Sequence, residues 1–267
     1  MSSSSNSGGG AAAALHGAAP LALFVGTALL CVAKAALSPS GARPVPSPPP
    51  PSPPTPPRSV LVVGIAGGSG SGKTTLSRAL YDSLGASNCA YIMHDSYYKD
   101  VSGLTLAERE RLNYDHPDQL DTALLVEHVR GLKSRQGVDI PTYDFATHSR
   151  TSTVTRLEPR PVVIVEGILI FTDPVLCELL DLKVFVDADC DVRLLRRIER
   201  DTAERGRSFQ SVVEQYLTTV RPMYHKFVKQ SRDNADLVVP SHSGIERAHE
   251  CIVARLHRFL AETKSDD

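Results

Sequence analysis

Short runs of apolar residues alternate with amphipathic segments from residue 59 to the end of the chain. The runs at 60–65 (VLVVGI), 162–165 (VVIV) and 182–186 (LKVFV) are apolar almost throughout, which is typical of strands buried on both faces of a sheet. Strands that alternate with helices predict an α/β fold in which helices cover both faces of a central parallel sheet. Two further strands are predicted at 90–93 and 237–239, and helices are predicted at 74–84, 104–111, 123–134, 191–205, 209–228 and 245–263.

The helical spacing stops between residues 140 and 157. The segment PTYDFATHSRTSTVTRLE, which spans 141–158, alternates polar and apolar residues as a β-hairpin does. We expect this hairpin to be an insertion beside the sheet. Its aromatic and histidine side chains have two open interpretations: they grip a nucleobase by stacking, or they only pack the hairpin.

The first 58 residues differ in composition from the rest of the chain, because they contain no Asp or Glu. Residues 11–33 are almost entirely apolar, and residues 39–58 form a proline-rich, extended spacer. Three interpretations stay open: a cleaved signal or organelle-targeting segment, a retained single-span anchor, or a low-complexity extension. We expect a targeting or anchor segment and linker at 1–58, with membrane contact only through its apolar part, and one domain at 59–267. The location is then an organelle such as a plastid, or the cytoplasm.

A glycine-rich loop follows the first predicted strand and precedes the first predicted helix. Its sequence, GGSGSGKT at 67–74, fits the pattern G-x-x-x-x-G-K-[ST] in the context that this pattern requires. Glycines let successive backbone N–H groups turn inward around phosphate oxygens, while Lys73 reaches the β- and γ-phosphates and the Thr74 hydroxyl ligates Mg²⁺. The motif predicts a nucleoside triphosphate site, whose residues are Gly67, Gly68, Ser69, Gly70, Ser71, Gly72, Lys73, Thr74 and Thr75.

Acidic residues lie at the ends of two predicted strands. Glu166 follows the strand at 162–165, at the edge where open α/β sheets place their ligands, and it is either a magnesium ligand acting through water or a surface acid. Asp95 follows the strand at 90–93 and is the best candidate for the base that a kinase needs near its acceptor hydroxyl. His94 competes for that role, and an N-cap role for Asp95 is the third interpretation.

A polar cluster, NYDHPD, lies at 113–118 between two predicted helices. Asp118 and Asp121 are placed to cap the helix that starts near residue 122. Asp115 has no helix to cap and is therefore free to bind sugar hydroxyls.

The predicted helix at 191–205 is rich in arginine and ends in RGR at 205–207, a break hinged by glycine. Arginine forms bidentate bonds with phosphate oxygens, so this break suits a mobile lid that closes over the phosphates and excludes water. The alternative is a solvated helix in which Glu199 and Glu204 pair with some of the arginines.

The formal net charge is −1 at pH 7, which argues against a general nucleic-acid binder because such proteins are usually strongly basic. We therefore expect a small-molecule substrate and no nucleic-acid partner. The triphosphate site and the candidate base together point to a kinase that acts on a small hydroxyl compound.

From residue 60 to about residue 240, the chain closely resembles the uridine-cytidine kinases of the phosphoribulokinase/uridine kinase family. The shared motifs, in chain order, are GGSGSGKTT, DSYYKD, NYDHPDQLD, PTYDFATHSR, VEGIL, FVDADCDVRLLRRIERDTAERGR, EQY and ADLVVP. The resemblance implies a P-loop NTPase fold with three layers, similar to nucleoside monophosphate kinases, with a five-stranded parallel sheet and a β-hairpin at the nucleoside site. It also implies a homo-oligomer, often a tetramer.

The same resemblance implies phosphorylation of uridine and cytidine in pyrimidine salvage, with ATP or GTP as donor and with Mg²⁺. Asp95 would be the base that polarises the ribose 5′-hydroxyl, and Asp115 would bind the 2′- and 3′-hydroxyls. The other implied ligands are Tyr143 and His148 for the pyrimidine, Arg197 and Arg207 beside the acceptor hydroxyl and phosphates, Gln215 on the ribose side, Arg200 and Arg205 in the lid, Asp236 near the adenine, and Thr74 and Glu166 for the metal.

Two alternatives stay open beside this interpretation. A phosphoribulokinase-like enzyme shares the phosphate loop, but it needs a site for a sugar phosphate and a longer carboxyl-terminal half. A nucleotide-binding sensor with an inactive acceptor site would keep the loop, but the intact Asp95, Glu166 and Arg207 argue against it.

Overall fold

The computed structural model describes residues 59–265, so the expectations for residues 1–58 lie outside the described part of the chain. Five strands, β1 (Leu61–Ala66), β2 (Cys89–Met93), β5 (Val162–Glu166), β6 (Leu182–Asp187) and β7 (Leu237–Pro240), form one sheet in the order β2-β5-β1-β6-β7. Every pair in this sheet is parallel. Strands β3 (Val138–Asp144) and β4 (Ser149–Leu157) pair with each other as an antiparallel hairpin. The predicted α/β class, the parallel sheet and the inserted hairpin are confirmed.

Helices connect the strands and cover the sheet. They are α1 (Lys73–Leu84), α2 (Leu106–Glu110), α3 (Thr122–Lys133), α4 (Pro174–Leu179), α5 (Cys190–Ala203), α6 (Phe209–Gln215) and a last helix, Ile245–Ser265. Within residues 59–265, none of them combines the length and the apolar character needed to cross a bilayer.

Helical structure continues beyond α6 and runs further than the sequence predicts. Two π-helical turns, Tyr216–Val220 and Tyr224–Val228, alternate with short α-helical turns, and a 3₁₀ turn ends the run at Asn234. Pro222 lies two residues after the end of the first π turn. Proline lacks a backbone N–H and crowds the preceding turn, which accounts for a wider helical turn at this point.

The sheet lies between two apolar layers, because alternate residues of each buried strand face opposite sides. Val63 and Ile65 of β1 pack toward α1 and the last helix, whereas Val62 packs toward α3 and α4. All six residues of β1 are buried. The centre of the molecule is therefore rigid, and it holds the ends of its strands in fixed register.

That register brings three candidate residues to one edge of the sheet. Glu166, the last residue of β5, is aligned with Ile65 of β1 on one side and with Met93 of β2 on the other. The phosphate loop follows β1, and Asp95 follows β2 after one intervening residue. Parallel strands place their carboxyl ends together, so the loop, Glu166 and Asp95 meet there.

Candidate active site

The phosphate loop lies tightly against the structure beneath it. Gly67 and Gly70 both have positive φ, at 151° and 79°. A Cβ at Gly67 would lie 2.5 Å from the Val186 carbonyl oxygen, and a Cβ at Gly70 would collide with the Arg193 carbonyl oxygen. Side chains are thus excluded at both positions by conformation and by space, and the backbone itself lines the site.

The same loop offers hydrogen-bond donors to an anion. Helix α1 begins at Lys73, and its N-cap residue, Gly72, provides no side-chain cap for the first N–H groups. The Ser71 hydroxyl is buried and has no hydrogen-bond partner within the described residues. Uncapped N–H groups at a helix start form an anion site, so the loop fits the phosphates of a nucleotide.

Glu166 is buried, which excludes its interpretation as a surface acid. Its Oε1 lies 2.8 Å from Lys73 Nζ, and its Oε2 accepts a hydrogen bond of 2.8 Å from the Tyr91 hydroxyl. Burial alone would raise the pKa of Glu166, but Lys73, with further hydrogen bonds from Tyr91 and Thr74, outweighs it and holds the pKa below its ordinary value. The group is therefore a carboxylate at neutral pH.

The donor set fits a magnesium ion that is bound together with a nucleotide. Within residues 59–265, no three His, Cys, Asp or Glu side chains converge on a metal position. Magnesium in phosphoryl-transfer sites is typically held by one or two protein groups, phosphate oxygens and water. Thr74 in the first turn of α1 and Glu166 at the end of β5 match that arrangement, and Thr74 contributes to the lowered pKa of Glu166.

Asp95 lies in the 3₁₀ turn His94–Tyr97, where it lines the same cleft as Lys73. It does not cap this turn, whose N-cap residue is Met93. Burial, with the nearby charge of Glu166, raises the pKa of Asp95 above its ordinary value, although Lys73 opposes the shift. A carboxylate with a raised pKa is a stronger base than an ordinary aspartate, as general base catalysis requires.

His94, the competing candidate base, lies away from the cleft. Its ring is buried, and its Nε2 is 3.2 Å from the Thr122 hydroxyl on α3. Burial lowers the pKa of His94 to about 4, so the ring is neutral. This placement favours Asp95 over His94.

A cleft lies between this edge of the sheet, the hairpin and the arginine-rich segment. Most of the residues that the motifs assign to donor or acceptor line it. Its lining is Ser69, Lys73, Asp95, Tyr98, Tyr114, Asp115, Tyr143, Phe145, His148, Ile168, Arg197, Arg200, Arg205, Arg207 and Gln215.

Aromatic rings form one wall of the cleft. Tyr114 stacks on His148 at 5.1 Å with an interplanar angle of 25°, and Tyr98 contacts Tyr143 at 4.9 Å. His148 has a φ of 49°, a left-handed conformation that non-glycine residues rarely adopt. Such strain is characteristic of functional sites, and here it accompanies a flat surface suited to a planar ring.

Asp115 faces the cleft and accepts no hydrogen bond from any described residue. Burial raises the pKa of Asp115, while the nearby Arg197 opposes this shift and favours the charged form. Asp121 caps α3 by accepting a bond of 3.3 Å from the Leu124 N–H, and Asp118 is exposed. Only Asp115 of these three acids is thus available to a ligand in the cleft.

Gln215 joins the arginines of the two segments on either side of the break after α5. Its Oε1 accepts hydrogen bonds of 2.6 Å from Arg197 and 2.7 Å from Arg207. Arg197 also donates to the Ser69 hydroxyl of the phosphate loop, at 3.0 Å. These contacts place two guanidinium groups between the loop and the nucleoside side of the cleft.

One carboxylate, Asp201 on α5, is surrounded by arginines. Its side chain is fully buried, and it was not identified from the sequence. The expected partners of the arginines, Glu199 and Glu204, are instead exposed and form no ion pair within the described residues. Four arginines each place one nitrogen within 3.8 Å of the Asp201 carboxylate: Arg197, Arg200, Arg205 and Arg207.

The expected position of Asp236 near the adenine is wrong. Asp236 precedes β7 and therefore lies toward the amino ends of the strands, where its carboxylate accepts a 2.7 Å bond from the Lys183 backbone N–H. It fastens β7 to β6 and does not face the phosphate loop. The opposite, carboxyl end of β7 faces the phosphate loop. There the Ser241 hydroxyl accepts a 2.6 Å hydrogen bond from Arg196, and the same guanidinium contacts backbone carbonyls of the loop.

Tyr98, Tyr114 and Ile168 also line the cleft, although the sequence did not single them out. Each lies inside a motif that carries the resemblance, which was the available signal. For Asp201, the signal was its spacing of four residues from both Arg197 and Arg205, which would place all three on one face of the helix predicted at 191–205.

The fold and the site define a P-loop kinase of small molecules. The model of the phosphoribulokinase/uridine kinase family matches residues 62–246. The chain is 51% identical over 200 residues to a uridine kinase of Chloroflexus aggregans, which covers 75% of this chain and 96% of that protein. It is 47% identical over 205 residues to a uridine kinase of Streptococcus gordonii, which covers 77% of this chain and 98% of that protein. The chain belongs to the phosphoribulokinase/uridine kinase family, as the motifs predict.

Solved structures show the same fold at much lower identity. A D-glycerate 3-kinase of Cryptococcus neoformans superposes with a TM-score of 0.52 at 21% identity, and the alignment covers 68% of this chain and 87% of that kinase. Phosphoribulokinase of Rhodobacter spheroides superposes with a TM-score of 0.52 at 15% identity, and the alignment covers 68% of this chain and 70% of that enzyme. The predicted P-loop fold and kinase class are confirmed, and a nucleotide donor follows from the family.

Proposed function

We propose that this chain transfers the γ-phosphate of ATP to the 5′-hydroxyl of uridine and cytidine, a step of pyrimidine salvage. The observation that carries the proposal is that one cleft joins Lys73 and Ser69 of the phosphate loop to Asp95, Asp115 and a wall of aromatic rings. Two uridine kinases at 51% and 47% identity support the choice of acceptor.

Each chemical task has a residue in the cleft. Asp95 accepts the proton of the acceptor hydroxyl, and its raised pKa suits this role. Lys73 neutralises the β- and γ-phosphates, while Arg197 and Arg207 stabilise charge on the transferred group. Asp115 binds the ribose hydroxyls.

The pyrimidine is held by the aromatic wall. Tyr143 and His148 supply edge contacts and a stacking surface, and Gln215 keeps the two arginines in place on the ribose side. Arg200 and Arg205 belong to the lid, whose break lies at Gly206 with a φ of 63°.

Mg²⁺ is the proposed metal, held by Thr74 directly and by Glu166 through water. When bound, it neutralises charge between the β- and γ-phosphates. GTP is a second candidate donor, because the loop and Lys73 contact only phosphates.

The test is an assay of the purified full chain against uridine, cytidine, thymidine, purine nucleosides and ribulose 5-phosphate, each with labelled ATP or GTP. We expect efficient transfer to uridine and cytidine alone. Transfer to ribulose 5-phosphate alone would support a phosphoribulokinase-like activity, and nucleotide binding without any transfer would support a sensor.

We further propose a homo-oligomer, a tetramer by resemblance, and a targeting or anchor role for residues 1–58. Light scattering of the purified protein tests the first proposal. Fractionation of cells that express residues 1–58 fused to a reporter tests the second: reporter in the soluble cytoplasmic fraction alone would contradict it.

A further inference from the structure

Tyr91 contacts the metal-site carboxylate from a neighbouring strand. It lies on β2 two residues before Met93, which is aligned with Glu166 on β5. Its hydroxyl donates a 2.8 Å hydrogen bond to Glu166 Oε2, while Lys73 Nζ lies 2.8 Å from Oε1. The two oxygens of one buried carboxylate therefore have different partners, and Tyr91 belongs to none of the motifs that carry the family resemblance.

The two partners differ in what else they can bind. Lys73 also serves the β- and γ-phosphates, so a bound donor draws its ammonium group away from Glu166. The Tyr91 hydroxyl has no hydrogen-bond partner other than Glu166 within residues 59–265. Its ring packs against Tyr81 of α1 at a centroid distance of 5.9 Å, and its side chain belongs to the apolar layer between α1 and the sheet. A hydrogen bond from a packed ring holds the carboxylate in one orientation while Lys73 changes partners.

We propose that Tyr91 is a positioning residue that holds Glu166 in the orientation needed to receive Mg²⁺ with the nucleoside triphosphate. The inference rests on the proposed magnesium–ATP site. Tyr91 acts through Glu166 and touches neither the nucleoside nor the phosphates. Its effect should therefore be seen only when both the metal and the nucleotide are present.

The test compares Tyr91→Phe with Tyr81→Phe in the full chain. Both variants lose one phenolic hydroxyl from the same pair of rings, but only Tyr91 bonds to Glu166. The Kd of a non-hydrolysable ATP analogue is measured by calorimetry in excess MgCl₂ and in EDTA. For Tyr91→Phe we expect Kd to rise about 3- to 10-fold in MgCl₂, the size of the net contribution of one hydrogen bond, and to stay within about twofold in EDTA. Tyr81→Phe should match the wild type in both.

A kinetic measurement separates this role from simple packing. The Mg²⁺ concentration for half-maximal rate should rise in Tyr91→Phe, while the KM for uridine should not change. Three results would overturn the assignment. The first is that Tyr91→Phe weakens binding of the ATP analogue equally in MgCl₂ and in EDTA, and the second is that it weakens binding in neither. The third is that Tyr81→Phe shows the same magnesium-specific loss of binding. If wild type phosphorylates uridine but Tyr91→Phe is indistinguishable from it, only this inference fails, whereas failure of the wild type with every nucleoside defeats the proposed function.

Discussion

The phosphate side and the nucleoside side of the cleft are built in different ways. The phosphate side is one continuous loop of backbone between β1 and α1, and its Lys73 and Glu166 are already paired at 2.8 Å. The nucleoside side is assembled from side chains of several separate elements, and its acids, Asp95 and Asp115, both have pKa values raised by burial. The phosphate loop is formed by residues that are adjacent in the sequence, so a short motif predicts it. The nucleoside side is formed by residues that come together only when the chain folds.

If the reactive base belongs to the nucleoside side alone, replacing it should leave the phosphate side intact. Asp95→Asn should lower kcat by about 10²- to 10⁴-fold, the usual effect of a lost general base, with nearly unchanged ATP affinity. Steady-state kinetics and calorimetry check this, with Asp100→Asn, an exposed acid of the following loop, as the control. Near-normal turnover would assign the base to another group.

The reverse experiment removes the charge on the phosphate side. Lys73→Ala should weaken donor binding and lower kcat by about 10²- to 10³-fold, because charge on the β- and γ-phosphates loses its partner. Uridine binding should change little. Lys99→Ala removes an exposed lysine and should have no effect. Unchanged donor affinity would mean that this loop is not the donor site.

Within the nucleoside side, Asp115 should discriminate between sugars. Asp115→Ala should raise the KM for uridine by about 10- to 100-fold, since hydrogen bonds to a buried charged group are lost. We expect 2′-deoxyuridine to be a poor substrate of the wild type and to be much less affected by this change. The ratio of kcat/KM for the two nucleosides measures this, and Asp118→Ala is the exposed control from the same loop. A wild type that uses 2′-deoxycytidine as well as cytidine would contradict the assigned role.

The smallest effect is expected where the two halves meet, at Asp201. Asp201→Asn leaves the buried Arg197 and three partly exposed arginines, Arg200, Arg205 and Arg207, without their shared carboxylate. Because most of these partners reach solvent, the change should cost roughly 1–2 kcal/mol of stability. In a protein of this size that corresponds to about 2–8 °C in Tm. Tripolyphosphate should reduce the difference in Tm between the variant and the wild type, because a bound phosphate group then pairs with the arginines in place of the carboxylate. The control is Asp191→Asn, which changes an exposed acid of the same helix. If tripolyphosphate leaves the difference in Tm unchanged, Asp201 acts only in folding.

The position of a residue is predictable from the sequence where it follows from the residue's own strand or loop. Glu166 and Asp95 both follow buried strands, and the sheet brings both to the edge beside the phosphate loop. Asp236 was misplaced although the same rule applies, because an acid that precedes a parallel strand lies toward the opposite edge. That error was avoidable from the sequence.

Other features depend on contacts that no local pattern contains. The role of Asp201 requires the chain to turn at Gly206 so that Arg207 returns to the arginines of α5. The stack of Tyr114 on His148 joins two segments that are separated by a helix and a strand. Such contacts are products of tertiary packing, and only the folded chain shows them.

The hairpin has a consequence for how such an enzyme can change over generations. Within residues 59–265, β3 and β4 pair only with each other, so no ladder ties them to the strands that carry the phosphate loop. Substitutions near the hairpin turn, around Phe145 and His148, can alter the ring that is recognised without remaking the phosphate-binding core. The molecule is in this sense modular: a lineage, or an engineer who grafts a foreign hairpin, can diversify the acceptor while inheriting the transfer chemistry intact.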